Sequence, residues 1–147
     1  MKKSANVTWI RDMQFVAEAG SGHAIVIDGD PATGGRNTGI RPMELVLQGL
    51  AGCTAMDVIL ILRKKRQNVT GLEVRVEGER AENHPKVYTH IHITYIVRGK
   101  RLSEKAVNDA VTLSKDKYCS VSAMLKSTAE ITYDVQIVDA DNEEANV

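Results

Sequence analysis

The two cysteines are the residues of this chain best placed to do chemistry together. Cys53 lies in an apolar helical run, Pro42-Met-Glu-Leu-Val-Leu-Gln-Gly-Leu-Ala-Gly-Cys53-Thr-Ala-Met-Asp57-Val58. Cys119 lies in Lys117-Tyr-Cys119-Ser-Val-Ser122, just before a second short helical stretch. A thiolate is a nucleophile, and a nearby thiol traps the sulfenic acid that oxidation makes of it. A peroxidatic and a resolving cysteine need such a pair. Two inert core residues would read the same way, because free cysteine is among the most buried residue types. Asp57 falls four residues after Cys53, hence on nearly the same helix face. A carboxylate there raises a thiol pKa unless a cation compensates. It can instead orient an arginine, or hydrogen-bond a neighbouring loop.

Other constellations are weaker. Residues 28–39 form a glycine-rich stretch of turn formers, but it lacks Gly-Lys-Ser/Thr and does not match GxGxxG, so it reads as a mobile loop. His90 and His92 share a strand face with Tyr88, and His-x-His is compatible with a metal. No third ligand stands at a telling spacing, so an exposed sheet face is expected and no metal is assigned. A zinc held by Cys53, Cys119 and a histidine is the lesser alternative. His23 and His84 read as structural, and Trp9 and Tyr118 as packing residues, with Tyr118 beside Cys119. Arg63-Lys-Lys-Arg66 puts cations at the negative end of a helix dipole and reads as a solvated terminus.

Bulk composition narrows the class. The chain has 147 residues, 43% hydrophobic and 26% charged, as expected of one globular domain able to bury a core without staples. Nineteen basic and 19 acidic residues balance, which argues against attraction to nucleic acid or an anionic membrane. The first residues carry charge but no apolar core of a signal peptide. Glu44, Gln48 and Asp57 interrupt the apolar stretches, so no membrane span is expected. A reduced, cytoplasmic setting follows, where paired cysteines serve redox or metal roles more often than structural bridges.

The elements that must position the thiols can be read from periodicity. Residues 5–9, 13–18 and 22–27 read as strands of a meander. Pro42 suits the first position of a helix, which runs to about Arg66. Its middle is apolar nearly all round, the pattern of a buried helix. Gly49, Ala51, Gly52 and Ala55 remove bulk near Cys53, as if another backbone or a ligand approached there. Residues 71–79 and 87–97 alternate as a hairpin with one wet face. Residues 103–113 form an amphipathic helix capped by Ser103, with Leu102, Ala106, Val107, Ala110 and Val111 inward. A shorter helix at 120–127 and a strand at 129–138 complete an α+β domain over residues 1–138. An acidic, disordered tail is expected at 139–147.

This order of elements, with Gly39-Ile-Arg-Pro42, Gly49-Leu-Ala-Gly-Cys53 and Lys117-Tyr-Cys119-Ser-Val-Ser122, resembles the OsmC/Ohr superfamily of small thiol proteins. The likeness is greatest to its OsmC-like branch, described as redox proteins of the regulator-of-disulfide-formation type. The resemblance implies an intertwined homodimer with its long central helices packed together and an active site at each interface. It implies that Cys53 attacks an organic hydroperoxide and that Cys119 resolves the sulfenic acid to a disulfide. An external dithiol such as dihydrolipoamide then reduces that bridge, with no bound cofactor.

The family lowers the pKa of its first cysteine with an arginine held by a glutamate, and that glutamate follows the helix-initiating proline. Here the position is Met43, about 80° around the helix from Cys53, and Glu44 is about 180° away. Arg36 and Arg41 are the candidate arginines, and Asp57 the candidate stand-in for the glutamate. Met43, Leu47, Leu50, Met56 and Met124 are candidates to line an apolar pocket for the hydroperoxide's body. The reading from a different class is a non-catalytic module that holds a hydrophobic or electrophilic small molecule in the same pocket.

Overall fold

A computed structural model describes residues 1–141. The chain divides into two compact units, Met1–Val46 and Leu47–Val147. The last six residues of the expected acidic tail, 142–147, lie outside the described residues, and Asp139 ends a strand.

The first unit is an antiparallel meander of β1 (Ala5–Arg11), β2 (Gln14–Ala19) and β3 (Ala24–Ile27) in the order β1-β2-β3. Apolar pairs face each other across it, Trp9 with Phe15 and Phe15 with Ile27. Its apolar residues stay largely in solvent: every residue of β1 is exposed, Trp9 by 64%. Trp9, expected as a packing residue, is thus not buried in this sheet.

Asp28 organises the glycine-rich segment at 28–39. Its carboxylate accepts the backbone N–H groups of Gly29, Arg36 and Thr38 and the hydroxyl of Thr38. These bonds, the Thr38 hydroxyl foremost, hold its pKa down to about 2. The turn closes so tightly that a Cβ on Gly35 would lie 2.0 Å from the Gly29 carbonyl oxygen. Only glycine fits there.

The long helix α1 (Pro42–Lys64) starts at the expected proline. The Glu44 carboxylate accepts the backbone N–H of Arg41 at 2.8 Å, which is half of a capping box. Only one stripe of α1 is fully buried, Leu50, Thr54, Val58 and Leu62, spaced four apart. Of its other apolar residues, Met56 and Leu60 are exposed and most of the rest half-buried. With 23 residues and a mean hydropathy of 2.0 in its best window, α1 has the length and composition of a membrane span, despite Glu44, Gln48 and Asp57. Its buried polar residues, Thr54 and half-buried Asp57, instead find hydrogen-bond partners inside the protein.

In the second unit β4 (Asn68–Arg80) and β5 (Tyr88–Lys100) form the expected antiparallel hairpin. The chain then crosses over through α2 (Glu104–Leu113), a π-helical turn (Ser114–Tyr118) and α3 (Ser120–Leu125). It returns as β6 (Glu130–Asp139), which pairs parallel to β5, as such a crossover permits. Ser103 caps α2 by accepting the Ala106 N–H. The core gathers the α1 stripe with Ile91, Ile93, Tyr95 and Val97 of β5 and Val107, Ala110 and Val111 of α2. On the opposite face of the sheet His92 bonds Thr132 and Asp134, and His90 bonds Thr132.

Candidate functional site

Helix α1 and the crossover between β5 and β6 bring the two cysteines together. The Sγ atoms of Cys53 and Cys119 and a carboxylate oxygen of Asp57 all lie within 4.8 Å of one another. Cys53 and Asp57 come from adjacent turns of α1, on the face the four-residue spacing requires. Cys119 is placed by the π-helical turn, whose last bond runs from the Cys119 N–H to the Ser114 carbonyl at 2.7 Å. One extra residue in that turn moves the chain out of α-helical register before α3 begins. Cys119 then caps α3, its Sγ accepting the Ser122 N–H at 3.4 Å.

The two thiols differ in environment. Both are free, Cys119 buried and Cys53 half-buried. Burial pushes the Cys119 thiol up to about 11, against the Ser122 N–H, and its neighbours Cys53 and Asp57 push the same way. Cys53 lines an apolar groove of about 800 Å³ with Ala55, Met56, Ile59, Leu60 and Leu72, and Arg63 and Asp57 also border it. Asp57 borders a second cavity as well, of about 310 Å³, whose wall includes Tyr118 and Leu113. Tyr118 thus stands beside the site, half-exposed.

Three hydroxyls absent from the sequence-based site complete it. Tyr95 OH is 2.8 Å from Thr54 Oγ1, which is 2.7 Å from Ser114 Oγ. Ser114 Oγ donates to Asp57 Oδ2 at 2.9 Å. Each hydroxyl has one proton, so the last bond fixes the others: Tyr95 donates to Thr54, Thr54 to Ser114, Ser114 to the Asp57 carboxylate. Tyr95 stays protonated, since burial pushes its pKa up to about 12. The chain leaves no buried side-chain polar atom unpaired among the described residues. Thr54 was legible as a polar residue on an otherwise apolar helical stripe, and Tyr95 as a phenol on the apolar face of β5. Nothing in the local sequence marks Ser114.

The other candidates have local partners. Arg36 pairs with Asp12 at 3.0 Å, and Arg41 donates to the Gly39 carbonyl at 2.9 Å and lies 4.0 Å from Asp30. Glu44 is occupied by the Arg41 backbone. Of the apolar candidates, Met56 lines the Cys53 groove and Leu50 lies in the core. Met43 and Leu47 are half-buried, and Met124 is exposed.

Comparison with known proteins places the chain in a family. The family model described as OsmC-like protein matches residues 34–134. Protein YhfA of Escherichia coli K12 is 42% identical over 136 residues, covering 92% of this chain and 98% of that protein. A hypothetical protein from Aquifex aeolicus VF5, of known crystal structure, is 34% identical, with a TM-score of 0.78 over 93% of this chain and 98% of its own. An organic hydroperoxide resistance protein from Legionella pneumophila shares the fold at 13% identity, with a TM-score of 0.68 over 92% of this chain and 97% of its own.

Proposed function

The chain belongs to the OsmC-like protein family, as its motifs and element order lead one to expect, and from that premise we propose that it reduces organic hydroperoxides with Cys53 and Cys119. The observation that carries this reading is the meeting of both sulfurs and the Asp57 carboxylate within 4.8 Å. Cys53, half-exposed in an apolar groove, is the attacking thiol. Its sulfur takes the outer oxygen of the hydroperoxide, the O–O bond breaks, and an alcohol leaves. Cys119 then attacks the sulfenic sulfur; the S–S bond forms, the S–O bond breaks, and water leaves. Two thiols and one hydroperoxide give a disulfide, an alcohol and water. Asp57 takes the proton that Cys119 loses and returns it to the departing oxygen, which leaves as water, while Ser114 keeps that carboxylate in position. An external dithiol such as dihydrolipoamide restores both thiols, in a reduced cytoplasmic setting.

The working form in this reading is a homodimer. Uncovered apolar surface supports it: Met56 on α1 is 76% exposed and the β1 strand lies bare. A Cβ at Gly49 or Gly52 would meet nothing within 4 Å, so this chain alone gives no reason for small residues there. A second copy laid along α1 gives one.

The apolar groove favours a second reading, in which the same site holds a hydrophobic or electrophilic molecule and the thiols act as ligands or covalent traps. Consumption of cumene hydroperoxide and hydrogen peroxide with dihydrolipoamide as reductant separates the two. Turnover that disappears in Cys53→Ser, with a Cys53–Cys119 disulfide mapped by mass spectrometry in the wild type, supports the redox reading. Unmodified thiols after peroxide treatment sink it and leave the binding module.

A further inference from the structure

The geometry points to a reduced-state metal site: Cys53, Cys119 and Asp57 form a three-ligand site for a divalent cation of the zinc type. Two thiolates and one carboxylate are a ligand set that zinc accepts, with Zn–S near 2.3 Å and Zn–O near 2.0–2.2 Å. Those bond lengths put tetrahedral ligand atoms about 3.5 Å apart. The three atoms already lie within 4.8 Å of one another. Side-chain rotation of about 1 Å closes the shell around an ion.

The surroundings favour such an occupant. A divalent cation held between the two sulfurs and the carboxylate satisfies all three groups at once. Asp57 arrives pre-oriented, because Ser114 donates to its Oδ2 and is itself held by Thr54 and Tyr95. Outer partners of this kind orient metal-ligating carboxylates. Cys53 and Asp57 are half-exposed, so an ion has a path in and a fourth position is left for water or a small ligand. The third ligand is thus a carboxylate on the helix of Cys53 and not a histidine. His90 and His92 are bonded to Thr132 on β6.

Binding releases the proton of each thiol to solvent as the two sulfurs become thiolate ligands. A Cys53–Cys119 disulfide removes both ligands, so ion and disulfide exclude each other. This exclusion rests on the redox reading; the site itself rests only on the three side chains.

The test is titration of the reduced, full-length protein with Co²⁺ as a spectroscopic probe, followed by displacement with Zn²⁺. The expected result is one Co²⁺ per chain with a sulfur-to-metal charge-transfer band. That band disappears in Cys53→Ser, in Cys119→Ser and in the disulfide form. Asp57→Asn and Ser114→Ala should each bind about 10–100-fold more weakly, and circular dichroism checks that both are folded. No binding by the reduced wild type overturns the proposal, as does affinity unchanged in Cys119→Ser and Asp57→Asn, or binding lost in His92→Gln. Thiols that peroxide joins but that bind no Co²⁺ sink the metal site alone. Thiols that bind Co²⁺ but that peroxide leaves unmodified sink the redox reading alone.

Discussion

Burial gives the two thiols different work. With its pKa pushed up to about 11, Cys119 is a neutral thiol at physiological pH, while half-exposed Cys53 meets reagents through the groove. Alkylation by iodoacetamide should therefore modify Cys53 first, with Cys119 following only as pH approaches 11. Linkage gives the matching stability effect. The unfolded chain loses this proton near pH 9 and the folded chain keeps it to about 11, so the contribution is whole below about 9 and is lost across that window. Denaturant midpoints of wild type and Cys119→Ala should diverge less above pH 10 than at pH 8. Ser114 is the other residue to change. Ser114→Ala leaves Asp57 without the hydroxyl that holds it, at a cost of about 1–3 kcal/mol. It should also slow disulfide formation after peroxide addition, measured by quenched mass spectrometry. Cys53, Cys119 and Asp57 could be picked out from residue type and spacing. Ser114 could not, because only the folded crossover brings it to α1.

Loops and turns carry much of the positioning that the regular elements do not. The Asp28 carboxylate, held down to about 2 by the Thr38 hydroxyl and three backbone N–H groups, ties residues 28–38 into one turn. A lowered carboxylate stabilises above its unfolded value near 3.8, and that support is lost as pH falls towards 2. Amide exchange at Gly29, Arg36 and Thr38 should accelerate selectively below about pH 4, and in Asp28→Ala at any pH. Faster exchange confined to β1 in that variant would contradict the role given to Asp28. The regular elements were readable in advance: Pro42 at the start of α1, Ser103 at the cap of α2, and the β4–β5 hairpin from its alternation. The Asp28 turn was not, since a run of glycine and turn formers reads alike whether or not a carboxylate gathers its amides. The π-helical turn has no signature either. It is one residue beyond an α-helical ending, and the side chain of its first residue, Ser114, is bonded to Thr54 and Asp57 far away in sequence.

At the scale of the molecule, exposed apolar residues recur in both units. The first unit has three strands whose apolar residues are mostly exposed, and Met56 and Leu60 stand out on α1. Sedimentation should give twice the chain mass, and Met56→Glu with Leu60→Asp should give a monomer or a poorly folded chain. A monomeric wild type with a sharp thermal transition would remove the case for a second copy. The crossover has a separate consequence. Cys53 precedes the β4–β5 hairpin and Cys119 follows it, on the segment that can close only when β6 docks parallel to β5. Non-local parallel pairing of this kind forms late, because its loop entropy must be overcome first. The thiols therefore stay strangers through synthesis and early collapse, and an oxidant that meets a half-made chain finds two separate cysteines. In the redox reading, reactivity of the pair becomes a certificate of completed folding, readable from outside as a disulfide that only finished molecules can make.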